Sequence, residues 1–370
     1  MDTEHRENIS GDGQMRIMQI IHYPGQGGAE QYAYLLAKYA KKSGNETCFV
    51  FGQKGPLEKR VKELGCETFY LKMRSPFDPL AITGLSRLYK KWKPDVVQTH
   101  FLRENFIAIA ANKLVPVKAI FSTVHRIEPK TKTQATFNKA YSKGLKKFIA
   151  VSELTKDYLV NEGINEHKIT MIPNGAEIEN FDKNKLKKEL GLNPKDIIFS
   201  CVARFEPEKN HELLIKAFHK IINRDYKLLL LGEGEQKSKI QKLVQKHKLE
   251  EKILLLDDSY IGYQIIGISD YYIQASKVES FGITVVEAML QQVPVVLSDI
   301  PAFKALTKNG DFGTLFRENN VNDLKERVEY VLDHELILEK KTGLACKYVE
   351  TRYTAQIMWQ KTETLYKHYL

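Results

Sequence analysis

Val278-Glu279-Ser280-Phe281-Gly282-Ile283-Thr284-Val285-Val286-Glu287-Ala288-Met289 sets two carboxylates eight positions apart around a Phe-Gly pair, and the chain turns apolar after the glycine with Glu287 inside the run. The pattern predicts a helix starting near Gly282, whose free N–H groups and positive dipole end face whatever lies beside Glu279. Such a helix end is an anion site. Glu287, about one and a half turns further on, would stand on the flank of the same pocket, where a carboxylate accepts hydrogen bonds from hydroxyl groups. Two Glu residues on a helix are equally consistent with a solvated face. The flanks favour the pocket. Ala275-Ser276 precedes, and Pro294-Val295-Val296-Leu297-Ser298-Asp299 follows one helix length later as a buried strand. The stretch therefore sits at a strand-to-helix crossing, where open α/β sheets bind ligands.

A chain of 370 residues is too long for one ordinary core, so two domains are expected. No apolar run approaches the roughly 18 residues needed to span a bilayer. Residues Met1 to Gln14 are polar and acidic and read as a disordered tail rather than a signal or transit peptide. Four cysteines, Cys48, Cys66, Cys201 and Cys346, lack Cys-x-x-Cys spacing; reduced structural thiols fit better than a metal site. The net charge of +10 favours an anionic partner, and nucleic acid, an acidic membrane leaflet and phosphorylated substrates all qualify.

Before that stretch, strands and helices alternate. Arg16 to Ile21 is an apolar run of strand length, followed by the loop Gly25-Gln26-Gly27-Gly28 and a helix from Ala29 to Lys42 with Tyr32, Leu35, Leu36 and Tyr39 at helical spacing. A Gly-rich turn at a helix N-terminus lets a phosphate approach the backbone, although a tight turn without a ligand gives the same pattern. Strand, helix and strand follow at Glu46–Phe51, Pro56–Leu64 and Thr68–Leu71. The strands Pro94–His100 and Ala119–His125 each end in a His, at the end of a parallel sheet that lines the ligand crevice. A strand-end His is also a common structural group.

Between Lys130 and Lys147 six lysines interleave with Phe137, Tyr141 and Leu145. As a helix this segment has a basic face beside an aromatic one, suited either to resting on the core or to touching a membrane. Phe148 to Ser152 reads as a strand with Ser152 capping the next helix. The turn Pro173-Asn174-Gly175 and the polar stretch Asp182–Lys188 mark a domain boundary. A fresh strand, Asp196–Ala203, then runs into Arg204-Phe205-Glu206-Pro207-Glu208-Lys209-Asn210, with a helix from His211. Arg204 and Lys209 at a strand end can clamp a diphosphate, or stand as surface charges. Lys227–Gly234 repeats the strand and glycine turn but lacks the third glycine and acidic ribose partner of a dinucleotide fingerprint. Ile253–Asp257 and Tyr271–Gln274 are two further strands.

Glu279 and Glu287 with Phe281-Gly282 between them match the E-x7-E signature of nucleotide-sugar-dependent retaining glycosyltransferases, and from about Met15 to about Trp359 the sequence resembles family 4, the "group 1" transferases. The resemblance implies an α/β chain of GT-B fold: two Rossmann-like, doubly wound parallel-sheet domains with an interdomain cleft. It divides the chain into a tail (1–14), an acceptor domain (15–178), a nucleotide-sugar donor domain (179–348) and a C-terminal helix crossing back to the first domain (349–370). Catalytic roles are implied for His125, Glu279, Arg204 and Lys209. Donor contacts are implied for Gly27, Gly28, Arg204, Lys209, Glu279, Ser280, Phe281, Gly282, Ile283 and Glu287, and acceptor contacts for His100, Arg103 and Asn105.

Two cations can take the place of a metal, and the chain has no Asp-x-Asp motif, so no metal and no cofactor beyond a UDP- or GDP-linked sugar donor is expected. After Asp299 the family has paired glycines where this chain has Ile300-Pro301-Ala302-Phe303, a departure on the sugar side of that loop. The activity implied is transfer of a hexose, with retention, to a glycan or lipid-linked acceptor in cell-surface polysaccharide or glycolipid synthesis. The expected location is cytoplasmic, with peripheral contact to an anionic membrane and no nucleic acid partner. A nucleotide-sugar epimerase or another two-Rossmann enzyme, such as an NAD-linked oxidoreductase, competes with this reading, and a catalytically silent subunit is a third. The broken glycine fingerprints oppose NAD; Arg204 and Lys209 together with E-x7-E oppose the epimerase; the intact motif opposes the silent subunit.

Overall fold

The structure, a computed structural model, describes residues 13–127, 141–221 and 225–370. They form two compact units: Met1–Ile172 together with Met358–Leu370, and Pro173–Ile357.

In the first unit seven strands make one parallel sheet: β1 (Arg16–Ile21), β2 (Glu46–Phe51), β3 (Glu67–Tyr70), β4 (Val96–Thr99), β5 (Ala119–Val124), β6 (Lys147–Ala150) and β7 (Ile169–Met171). Their order is β3-β2-β1-β4-β5-β6-β7. The strands are apolar on both faces because helices cover both sides of a parallel sheet. β1 is an inner strand, with Ile20 opposite Val50 on one side and Thr99 on the other. The winding reverses between β1 and β4, which places the switch-point crevice at their C-terminal ends. The last helix, Ala355–His368, carries Trp359 and Tyr366 into this unit. The Tyr366 ring lies 5.0 Å from Phe121, and the Trp359 indole donates to Ser43 Oγ at 2.8 Å.

The second unit has β8 (Ile197–Val202), β9 (Tyr226–Leu231), β10 (Ile253–Leu256), β11 (Tyr271–Gln274), β12 (Val295–Ser298) and β13 (Thr314–Phe316), all parallel, in the order β10-β9-β8-β11-β12-β13. Here the winding reverses between β8 and β11, which pair Phe199 with Tyr271 and Ser200 with Tyr272. The loops after these two neighbouring strands are the Arg204–Lys209 loop and the Glu279 loop.

The divide between units falls at Ile172–Pro173, ahead of the 178/179 expected from sequence, because Ala176 bonds to the end of the second unit. Its N–H donates to Tyr353 O at 2.8 Å, and its carbonyl accepts from Ala355 N at 2.9 Å. The return to the first unit comes at Met358 rather than at 349, since the helix Glu335–Glu350 packs on the helix Ile283–Leu290, where Cys346 Sγ meets Leu290 O at 3.6 Å. Of the expected tail, residues 1–12 lie outside the described residues. So do residues 130–140 of the expected basic helix; Ser142–Gly144 is a single 3-10 turn, and Lys147 opens β6. All four cysteines are free and buried. Among the described residues no helix is long and apolar enough to cross a membrane.

Candidate active site

The switch point of the second unit brings together two stretches that the sequence separates by 70 positions: Lys209 Nζ lies 2.6 Å from Glu279 Oε1. The loop after β8 closes through a 3-10 turn, Pro207–Lys209, and Lys277 N donates to Glu208 O at 2.8 Å, so backbone as well as side chains tie the two loops. Gly232 and Gly234 after β9 back this loop. A Cβ on either would meet Ala203 O at 2.2 Å or Phe205 O at 2.6 Å, and Phe205 N donates to Glu233 O at 2.9 Å. Arg204, at the end of the strand, is 39% exposed and faces Glu206 and Glu208 at 3.5 and 3.4 Å. These long, solvated pairs hold the guanidinium loosely.

Glu279 Oε1 accepts from Lys209, from Gln274 Nε2 at 2.7 Å and from Ser276 Oγ at 2.9 Å. Gln274 and Ser276 are buried, and both lie outside the E-x7-E motif. A sequence signal for them exists: Tyr272, Gln274 and Ser276 alternate along β11 and its extension, hence on one face, and are polar in an otherwise apolar strand.

The helix Ile283–Leu290 begins as the spacing predicted. Gly282 precedes it with φ +100°, and a Cβ there would lie 3.0 Å from the Phe303 ring and 3.2 Å from Leu306, so both conformation and space select glycine. Phe303 belongs to the helix Pro301–Thr307. Phe281 is buried with its ring 5.4 Å from Tyr353; Ser280 and Ile283 stay partly exposed on either side. Glu287 is 6% exposed, and burial raises its carboxyl to about 8. Burial therefore favours the neutral acid, which can donate as well as accept.

In the first unit His125 is half-buried at the end of β5, with its ring stacked 5.3 Å from His100 and edge-on to Tyr32 at 5.0 Å. Burial, and secondarily Arg126, lower the His125 imidazole to about 3; burial holds His100 well below its ordinary range. Both rings are neutral, so each carries a single ring proton. Gln19 Oε1 faces His100 Nε2 at 2.7 Å and must accept, so His100 Nδ1 is the bare nitrogen. His125 Nε2 donates to it at 3.0 Å, leaving His125 Nδ1 as an acceptor.

His100 and Asn105, the expected acceptor contacts, lie inside the first unit. They are 2% and 3% exposed, with His100 engaged on both nitrogens and Asn105 accepting from Thr99 Oγ1, so both support their neighbours from inside the unit. Arg103 is partly exposed, with one guanidinium nitrogen donating to Met73 O at 3.1 Å. Gly27 caps the helix Gly28–Lys42, but the Glu30 carboxylate stands 2.8 Å from where a Gly27 Cβ would lie. A phosphate at this turn would meet that carboxylate, whereas hydroxyl groups could donate to it. Among the described residues no group of three His, Cys, Asp or Glu is placed to hold a metal ion.

The model described as "Glycosyl transferases group 1" matches residues 182–345, and "Glycosyltransferase Family 4" matches residues 26–180. One similar protein is the UDP-Gal:alpha-D-GlcNAc-diphosphoundecaprenol alpha-1,3-galactosyltransferase of Escherichia coli, 26% identical over 70% of this chain and 72% of its own. Another is N-acetyl-alpha-D-glucosaminyl L-malate synthase of Bacillus anthracis, 23% identical over 94% of this chain and 95% of its own. Among solved structures, a glycosyltransferase from Rickettsia africae superposes with TM-score 0.84 at 22% identity, covering 96% of this chain and 99% of its own. Anabaena HepE in complex with UDP and glucose superposes with TM-score 0.85 at 17% identity, covering 95% and 99%.

Proposed function

Because the chain belongs to the group 1 glycosyltransferases and has the GT-B fold, we propose that it moves a hexose, with retention of configuration, from a nucleotide-diphosphate sugar to a glycan or lipid-linked acceptor. The observation that carries this reading is the Lys209–Glu279 contact at the second unit's switch point. It sets a cation for a departing diphosphate beside a carboxylate for the sugar. Breaking the bond from the anomeric carbon to the diphosphate leaves negative charge on phosphate and positive charge on the ring. Fixed charges aimed at both lower the barrier without reorganising at the moment of reaction. Arg204 and Lys209 take the phosphate side, together with the N–H groups at the start of the helix Ile283–Leu290. Glu279 accepts from sugar hydroxyls as the ring turns cationic. Glu287 faces the donor's ribose, and His125 offers Nδ1 to a hydroxyl. The cations serve in place of a divalent metal.

The E. coli relative is named for a diphosphoundecaprenol acceptor, which supports a lipid-linked acceptor for this chain, a role in surface polysaccharide or glycolipid synthesis, and a place at the inner face of the cytoplasmic membrane. The test is nucleoside diphosphate release across a panel of UDP- and GDP-linked hexoses. At least one donor should be turned over. Neither release nor calorimetric binding with any of them would overturn the reading.

A further inference from the structure

Gln274 ends β11 at 2% exposure, and both ends of its amide are engaged. Nε2 points at Glu279 Oε1 (2.7 Å) and Ser276 Oγ (3.0 Å). Oε1 faces the Tyr272 hydroxyl at 2.8 Å and the Thr284 hydroxyl at 3.2 Å, and those hydroxyls lie 2.7 Å apart. The amide cannot be reversed: a carboxylate only accepts, so the atom facing Glu279 must be the NH2 group, and the two hydroxyls then have a carbonyl to donate to. Tyr272 is fully buried and Thr284 lies in the first turn of the helix Ile283–Leu290. The Gln274 side chain thus spans from that helix to the carboxylate. Lys209, Gln274 and Ser276 all donate to the same oxygen, Oε1. Three donors exhaust what one carboxylate oxygen accepts with good geometry, and they fix the plane and rotation of the group.

From this arrangement we infer that Gln274 is the positioning residue of Glu279: it holds Oε1 inward, with Ser276 assisting, so that Oε2 is the oxygen a sugar hydroxyl meets. The inference rests on the reading above that Glu279 faces the donor sugar. Lys209 alone could not do this, because an ammonium on a flexible stem attracts a carboxylate without setting its rotation. The planar amide, itself locked by Tyr272 and Thr284, supplies direction.

The experiment is a double-mutant cycle on donor turnover. Gln274→Met keeps the volume and removes the donor. In the wild-type background it should lower kcat about 10- to 100-fold through misplacement of the carboxylate, with donor KM held within about twofold. In a Glu279→Gln background the same substitution should add nothing, since the group it positions has already lost its charge. Equal losses in both backgrounds, or an unchanged kcat in the first, would overturn the inference. If Gln274→Met does not fold, Ser276→Ala decides by the same cycle, with a smaller kcat loss that must likewise vanish beside Glu279→Gln. Absence of donor turnover in the unmodified protein would instead defeat the functional reading itself, an outcome distinct from a variant that behaves as wild type.

Discussion

Lys209 and Glu279 meet at 2.6 Å with their side chains only 14% and 13% exposed, while Arg204, on the same loop, is 39% exposed and pairs only at 3.4 to 3.5 Å. The two cations of one loop are therefore held differently. Lys209 is held within the fold of the switch point, and Arg204 is left more open to solvent.

That difference separates two substitutions. Arg204→Ala should reduce donor turnover by ~2–4 kcal/mol of transition-state stabilisation and leave the melting temperature unchanged. Lys209→Ala should reduce turnover comparably and also lower the melting temperature, because it strips the partner from a mostly enclosed carboxylate. Kinetics and thermal melts on both variants check this. Full activity in both would remove the loop from the site, and an unchanged melting temperature for Lys209→Ala would contradict the assigned structural role.

Glu287 supplies a pH-dependent test. Its folded carboxyl is raised to about 8 by burial, above its unfolded value of about 4.5. The stability it contributes is therefore fully present below about pH 4.5 and is lost as pH rises through about 8. Glu287→Gln keeps the neutral shape at every pH, so its melting temperature should gain on that of wild type as the pH rises from 5 to 9. A constant difference between the two proteins across that range would show that Glu287 is ionised in the fold.

The histidine pair behaves in the opposite sense. His125 is lowered to about 3 and His100 well below its ordinary value. Their neutral forms are the folded ones, and the stability they contribute is present above about pH 6.5 and falls away as acid drives pH toward 3. In NMR titrations the ring signals of both should stay flat between pH 5 and 8. A midpoint near 6.5 for His125 would break the tautomer chain from Gln19 through His100.

Gly282→Ala should destabilise the second unit by about 1–3 kcal/mol, the usual cost of a left-handed backbone at a residue with a Cβ. The contacts at 3.0 and 3.2 Å to Phe303 and Leu306 add to that cost. Chemical denaturation measures it, and a loss below about 0.5 kcal/mol would mean that the turn relaxes.

The long strands were legible because burial on both faces writes itself as unbroken apolar runs such as Leu228–Leu231 and Phe148–Val151. β7 and β13 escaped because three residues at a sheet edge carry no period. Glu279 and Lys209 were found through motifs. Gln274 and Tyr272 were not, since a polar residue at a strand end looks the same whether it touches solvent or a buried carboxylate. His100 and Asn105 show the converse: their chemistry suggested contact with a substrate, and only packing showed that both face inward.

The central claim, that Glu279 acts on the sugar as it becomes cationic, is tested most directly by donor turnover in Glu279→Gln beside wild type, on whichever UDP- or GDP-linked hexose the wild type consumes. The substitution preserves shape and removes charge. An interaction made mainly in the transition state should cost kcat about 100-fold or more and leave donor KM nearly unchanged. An unchanged kcat with a raised KM would contradict the claim and reduce Glu279 to a ground-state binding contact.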